Sequence, residues 1–590
     1  MLLTSLDWTV VAIYGAIVLV VGLWFTRRAG TDAESYFLAG RTLPWWILGT
    51  SMVATTFSTD TPNLVTDIVR TGGVAGNWVW WAFALTGMLT VFFYAKLWRR
   101  SGVLTDVEFY ELRYSGREAA FLRGFRALYL GVLFNVMVMA SVTLAAIKIG
   151  GVLLGIAPTT VVIIMASLTL LYSATAGLWG VVATDLLLFV VAMIGAVAAA
   201  VVAVNHPDVG GLQALVTNPA LEGSLNFLPD FSDWRTAKAV FIVPIAIQWW
   251  SIWYPGAEPG GGGYLAQRML AAKDEDNALK AVLWFNVAHY GIRPWPWVLV
   301  ALASIVVFPT LDSIQAAFPN IDPSILGNDL AYPAMLTFLP AGLLGLVVAS
   351  LAAAYMSTIS THLNWGASYI VQDFWRRFLK PEATEREAVT AARVVTAILT
   401  VAMTLVALEL QTALETFNII LQIGAGTGLV FILRWFWWRI NAWSEISAMV
   451  VSFGVAVWLR GGVAGVSWPV PQWDASTQLV AAVAITTVVW MTVTLLTRPT
   501  DRAVLESFHA RIRPMGPGWR AVVGDIEPNE GESPTAAIAG FFLGVTAIYA
   551  ALFATGSALY GNVGAAVVLG GVALASAVAV VRLLPRIGLR

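Results

Sequence analysis

The chain has 590 residues, is 58% hydrophobic and 12% charged, and carries a formal net charge of −1. Zero cysteines exclude disulfides, thiolate metal sites and cysteine nucleophiles, the four histidines (His206, His289, His362, His509) are scattered, and the balanced charge offers no basic face for nucleic acid. Many apolar runs of about 20 residues, the length that crosses a bilayer as helix, mark an all-α polytopic membrane protein.

The opening "MLLTSLDW" has no basic n-region and no small-residue cleavage site before "TRR", so the first hydrophobic segment is expected to be retained as a helix. Hydropathy with turn and charge punctuation predicts helices near 8–26, 42–70, 74–97, 126–154, 158–176, 180–205, 237–255, 279–308, 338–373, 388–409, 412–434, 441–460, 478–497, 535–556 and 562–583, about fifteen in all. With the N-terminus outside, most of the 34 Lys and Arg fall in loops assigned to the cytoplasm, as the positive-inside rule requires. The expectation is a multi-pass protein of the cell membrane with a cytoplasmic C-terminus. Segments 206–236 and 309–337, rich in Pro, Asn and Asp, are expected to form structured extracellular caps. A polar, Pro/Gly-containing cytoplasmic linker, 498–534, sets the last two helices (535–590) apart, so they read as an appendage. The "GGGG" of Gly260 to Gly263 lacks the lysine and following helix of a phosphate loop and reads as a flexible connector.

The middle of the second segment, "ATTFSTDTPN", is poor in helix-stabilising residues, and Pro62 removes the amide that would bond the Ser58 carbonyl. A carbonyl freed at bilayer depth needs a partner that lipid does not supply: a bound cation, a hydroxyl or a trapped water. In the ninth segment, "AAAYMSTISTHLN", Ala354, Ser357, Thr358 and Thr361 share one helix face and Ser360 borders it. Such a face serves either close helix contact or, through neutral hard oxygens, a sodium ion. Asp185 stands among apolar residues about one turn inside the sixth segment. An intramembrane carboxylate is costly and usually functional, although one at this depth can also snorkel to water. Asp60 is a second intramembrane carboxylate, suited to a substrate cation or to a place near Arg70 in an outer vestibule.

"YFLAGRTLPWW", "TDVEFYELRYS", "AGLWGVVATD", "YLAQRMLAAKDEDNA" and "AAAYMSTISTHLN" occur in the order found in the sodium:solute symporter family, which the chain resembles over roughly residues 30 to 435. That family includes sodium-coupled transporters for sugars, proline, sialic acid, iodide and monocarboxylates. The resemblance implies a LeuT-type fold: a leading helix and cytoplasmic loop (1–41), a first inverted five-helix repeat (42–205), the extracellular loop 206–236 and a second repeat (237–434). Two peripheral helices (435–497), the linker and the two extra C-terminal helices follow. It implies a first sodium site at the carbonyls of Ala54, Phe57 and Ala354 and the hydroxyls of Ser357 and Thr358. A second, present in some members, would use Asp185, Ser357, Ser360 and Thr361. Na+ is therefore the expected coupling ion, with two per solute.

By position, Thr56, Ser58, Thr61, Gln248, Trp249 and Gln422 are expected to line the solute cavity. Arg293, in "YGIRPWPW", would meet a solute carboxylate or snorkel to the cytoplasmic side, while His289 and His362 read as packing or interfacial residues. The family's sugar carriers would place several Asn, Gln and Glu side chains where this chain has Thr and Trp, which argues against a sugar. No convergent polar constellation supports a membrane enzyme. A solute sensor or an uncoupled channel of the same fold is the alternative to a secondary active transporter. The oligomeric state is not encoded in any recognised motif.

Overall fold

The computed structural model describes residues 3–26, 38–173, 178–254, 256–463, 466–524 and 532–589. Tyr36 and Phe37 of the first quoted motif, Ala176 and Gly177 of the third, and 525–531 of the linker lie outside the described residues. In chain order the main helices are α1 (Ser5–Thr26), α2 (Trp45–Thr55), α3 (Asp60–Gly72), α4 (Val74–Ser101), α5 (Gly116–Leu154), α6 (Pro158–Ser173) and α7 (Leu178–Val204). There follow α8 (234–251), α9 (Gly263–Ala271), α10 (Glu275–Val307), α11 (Leu343–Leu379), α12 (Glu385–Glu409), α13 (Ala413–Gly424) and α14 (Gly428–Phe436). The chain closes with α15 (Ala442–Leu459), α16 (Ala475–Leu496), α17 (Pro534–Leu559) and α18 (Val563–Leu583). A two-residue antiparallel pair, Gly462–Val463 with Val466–Ser467, lies between α15 and α16.

Among the described residues ten helices are long and apolar enough to cross a membrane, with two shorter apolar helices at Ser5–Val18 and Pro158–Ser167. Length and apolarity alone thus do not confirm the expected count of about fifteen helices, of which the second was expected to be broken. Two expected segments, 42–70 and 412–434, are each interrupted by a turn of chain, and a third interruption separates α8 from α9.

The first interruption separates α2 from α3. The Thr56 and Phe57 amides turn back to the Met52 and Ala54 carbonyls, and helix resumes at Asp60. Pro62 then sits in the first turn of α3, where its missing N–H has no intrahelical partner to lose. The second interruption, between α8 and α9, contains the glycines expected to be a flexible connector. They are buried and close-packed instead. Gly260 and Gly261 adopt φ of +76° and +73°, and a Cβ on them would lie 2.5 Å from the Phe431 carbonyl oxygen and 2.3 Å from Trp98 Nε1.

The third interruption, between α13 and α14, answers the second. Ile252 and Ala425 form an antiparallel bridge, and the Gly426 amide donates to the Ser251 carbonyl at 2.8 Å. Two helix ends thus satisfy each other's backbone where lipid offers nothing. Gly424 and Gly428 permit the approach, since a Cβ there would stand 2.2 Å from the Trp253 oxygen and 2.4 Å from the Trp250 oxygen.

Segments 206–236 and 309–337 are structured by short helices with capped turns, Asn218 and Asp233 capping the first and Thr310 and Asp322 the second. Beneath the second, Lys148 is buried against Asp329 at 2.6 Å, and Asp329 and Asp67 accept the first amides of α13 from Ala413 and Leu414. Asp474 caps α16, and Lys238 beside it holds its carboxyl well below the usual range.

The α17 helix corrects the expectation of an appendage. Gly540 and Gly544 let it settle against Phe92 and Met88 of α4, while Trp295 Nε1 donates to the Leu552 carbonyl and the Tyr549 hydroxyl to the Trp81 carbonyl. Small residues at its contact face allow this packing without a hydrophobic driving force between helices. The polar segment before it is packed too: Trp519 is buried, and its Nε1 donates to the Trp435 carbonyl at 2.8 Å.

Candidate functional site

Asp185 lies fully buried on α7, 0% exposed, and does not reach water. Its carboxylate accepts hydrogen bonds from two other helices: Ser51 Oγ of α2 donates to Oδ2 at 2.6 Å, and Ser357 Oγ of α11 to Oδ1 at 2.5 Å. Hydrogen bonds to an ionised acceptor are among the stronger ones, so this junction ties three helices at one point. One turn from it the Thr358 hydroxyl approaches the Thr55 carbonyl at 3.5 Å, at the end of α2 where the chain unwinds. Thr55 Oγ1 in turn lies 3.3 Å from a guanidinium nitrogen of the buried Arg268 on α9, whose charge acts on Asp185.

The hydroxyl stripe of α11 is therefore assembled as its spacing predicts, with Ser357, Thr358, Ser360 and Thr361 all buried. Ser360 donates to the Ser357 carbonyl at 3.0 Å and retains lone pairs. Thr361 Oγ1 is buried with no hydrogen-bond partner in the structure. A buried hydroxyl left unmatched costs about 1–3 kcal/mol, so an oxygen-seeking partner at this place would remove a real penalty. Of the backbone groups expected to bind sodium, the Ala54 carbonyl accepts the Phe57 amide at 3.0 Å, while the Phe57 ring stacks on Trp297 at 5.5 Å. Ala354 is fully buried on the same helix.

Next to this cluster lies a cavity of about 110 Å³ in which Thr56, Ser58 and Thr61 of the first interruption meet Thr358 of α11. Asp60, His289 and Arg293 line it as well. Arg293 does not snorkel. It is 0% exposed, donates to the Val53 carbonyl at 3.1 Å and the Thr56 carbonyl at 3.4 Å, and contacts His289 Nδ1 at 2.5 Å. The guanidinium thus caps the carbonyl end of α2, where the helix dipole places negative partial charge. Arg70 is elsewhere, bonded to the Ser304 and Phe308 carbonyls, so Asp60 is not its partner.

Gln248, Trp249 and Gln422 do not line this cavity. The Gln248 amide donates to the Val79 carbonyl at 2.6 Å, Trp249 Nε1 to the Ile245 carbonyl at 2.8 Å, and Gln422 meets Gln478 at 3.3 Å. Their polar ends are engaged with backbone and with a peripheral helix, a direction that segment position does not reveal. Ser51, Arg268, His289 and the aromatic wall of Trp80, Phe83, Tyr254, Tyr290 and Phe417 are the residues that sequence reasoning missed. Ser51 had a signal, since it lies three and four residues before Ala54 and Thr55 on one helix face. Arg268 had none without the re-entrant path of α9. His362, also on the cavity, pairs with Asn135 at 2.7 Å and packs.

An all-helical membrane fold, interrupted helices meeting in its interior and a solute-sized cavity beside a hydroxyl-lined carboxylate define a secondary transporter. Residues 36–452 match the sodium:solute symporter family, and the chain belongs to it. Among curated proteins it is similar to the sodium/glucose cotransporter of Vibrio parahaemolyticus, 28% identical over 478 residues that cover 78% of this chain and 86% of that one. It is also similar to sodium/myo-inositol cotransporter 2 of Mus musculus, 27% identical over 483 residues, 75% of this chain and 68% of the relative. Among solved structures, a Na+-coupled sialic acid symporter in a substrate-bound outward-open state has the same fold, with a TM-score of 0.66 at 20% identity over 84% of this chain and 99% of that one. The fold is LeuT-type, and the protein is a multi-pass membrane transporter, not an enzyme, that couples a small solute to sodium.

Proposed function

We propose that the chain carries one small organic solute together with two sodium ions by alternating access around the α2–α3 interruption. The observation that supports this most is the buried Asp185 carboxylate, held by one hydroxyl from α2 and one from α11. The first ion would take the carbonyls of Ala54, Phe57 and Ala354 and the hydroxyls of Ser357 and Thr358. The second would take Asp185 with Ser357, Ser360 and Thr361, whose unmatched hydroxyl supports the assignment. All these donors are oxygens, as a hard cation prefers. A serine or threonine hydroxyl both donates and accepts, so the groups now turned toward Asp185 can rotate to present lone pairs to an ion.

Sodium held between α2 and α11 would stabilise the arrangement that binds solute, and by linkage the solute raises sodium affinity in return. Each ion that crosses with the membrane potential contributes about 2.3 kcal/mol per 100 mV, enough in pairs to drive accumulation. Thr56, Ser58 and Thr61 would face the solute. The distribution of Lys and Arg supports a cell-membrane location with the N-terminus outside.

Thermal unfolding of the purified chain, titrated with sodium and with potassium, tests the two-ion reading. Stabilisation specific to sodium with a Hill coefficient above one is expected in the wild type, and a hyperbolic response in Asp185→Asn. A hyperbolic wild-type curve, or an Asp185→Asn curve identical to wild type, would contradict it.

A further inference from the structure

The cavity beside the proposed sodium cluster is lined by two opposite charges, Asp60 and Arg293, that are engaged to different degrees. Asp60 opens the first turn of α3 and lines the cavity, half-buried, while the neighbouring Thr61 hydroxyl donates to the Thr56 carbonyl at 3.3 Å. Among the described residues no lysine or arginine forms an ion pair with it; Arg293 acts on it from a distance only. The Arg293 guanidinium is committed to the Val53 and Thr56 carbonyls and to His289, and its face lies over Trp297 at 5.1 Å. The Asp60 carboxylate thus keeps acceptor capacity toward the cavity, while Arg293 keeps one unmatched donor, its buried Nε.

Around that carboxylate the wall is aromatic. Phe83 and Tyr254 stack at 5.5 Å, and Trp80 stacks on Tyr290 at 5.8 Å, all four lining the cavity. Ring faces attract a cation, the more strongly when it is desolvated. Ser58 Oγ, 2% exposed and also on the cavity, has no hydrogen-bond partner and is free to accept an N–H. Among the described residues no Asn, Gln or Glu side chain lines the cavity; its other polar groups are Ser, Thr and Tyr hydroxyls and two histidines. Its volume is about 110 Å³ and it is partly open, which favours a small solute.

We infer that the solute is a compact amine: a cationic nitrogen seated against Asp60 and between the ring faces of Trp80, Phe83 and Tyr254, with the Ser58 hydroxyl turned toward it. The inference rests on the reading that this cavity is the solute site. A simple organic cation and a zwitterion share that ammonium, and the assay separates them.

The full-length protein is assayed for thermal stabilisation by choline, glycine betaine, alanine, acetate, glucose and dimethylbutanol, the uncharged carbon isostere of choline, each in sodium and in potassium. Stabilisation in sodium by choline, by betaine or by alanine is expected, with an apparent affinity at least roughly tenfold above that of any neutral probe. Asp60→Asn should weaken it by a similar factor, Asp60→Glu should retain most of it, and both should keep the stabilisation given by sodium alone. The inference is overturned if none of the three nitrogen-bearing probes stabilises the protein in sodium, if glucose or acetate binds in their place, or if Asp60→Asn binds as wild type does. Loss of the response to sodium itself would strike instead at the coupling reading.

Discussion

Ser357 stands where the two proposed ion sites meet: its hydroxyl is bonded to Asp185 at 2.5 Å and its neighbour Thr358 faces the end of α2. Ser357→Ala removes an oxygen that both proposed ion sites share, so it should raise the half-saturating sodium concentration roughly tenfold or more, the largest effect of any single hydroxyl on α11. Sodium-dependent thermal stabilisation measures this, and a shift under threefold would place Ser357 outside the ion path. Arg293 presents a different case. Its planar fork spans two carbonyls of the broken helix, which a lysine ammonium cannot do. Arg293→Lys is expected to destabilise the fold by about 1–3 kcal/mol, the cost of leaving a buried polar group unmatched, read as a lowered melting temperature. At this scale the sequence disclosed the residue types but not their directions. Asp185 and the α11 stripe were legible because an intramembrane carboxylate and a run of hydroxyls at helical spacing stand out. Gln248, Trp249 and Gln422 were misdirected because nothing local tells a glutamine which distant carbonyl is free.

The elements owe their arrangement to three interruptions, and two of those complete each other's hydrogen bonding through Ile252, Ala425 and Gly426. The glycines there are fixed by contact distance, not by flexibility. Gly428→Ala drives a methyl to 2.4 Å from the Trp250 oxygen, and overpacking of this kind typically costs about 1–3 kcal/mol. Gly454→Ala, on an outward face of α15 with nothing within 4 Å, is the matched control and should be neutral or slightly stabilising. Comparing the two melting temperatures in the same detergent checks the claim; equal values would mean that the interruption is slack. The first break was legible from Pro62 and its weak helix formers. The second was not, because "GGGG" looks alike in a loose connector and in a tight crossing, and only the chain it crosses distinguishes them.

At the scale of the whole molecule the family, the fold and the broken-helix site agree, and α17, bonded to α4 and α10, belongs to the transport body. The overall architecture was legible because bilayer thickness leaves few solutions for a chain this apolar. The interruption between α13 and α14 was not, since hydropathy averages across it. Two sodium ions per solute, as proposed, would make transport electrogenic. Once a solute is in hand, the reversal potential of a reconstituted vesicle should report two charges per zwitterionic solute and three per cationic one, whereas one charge per zwitterion would indicate a single ion. The most direct test needs no solute at all. Equilibrium binding of radioactive sodium to the purified protein should saturate at two ions per chain in the wild type and at one in Asp185→Asn; saturation at one in both would contradict the account.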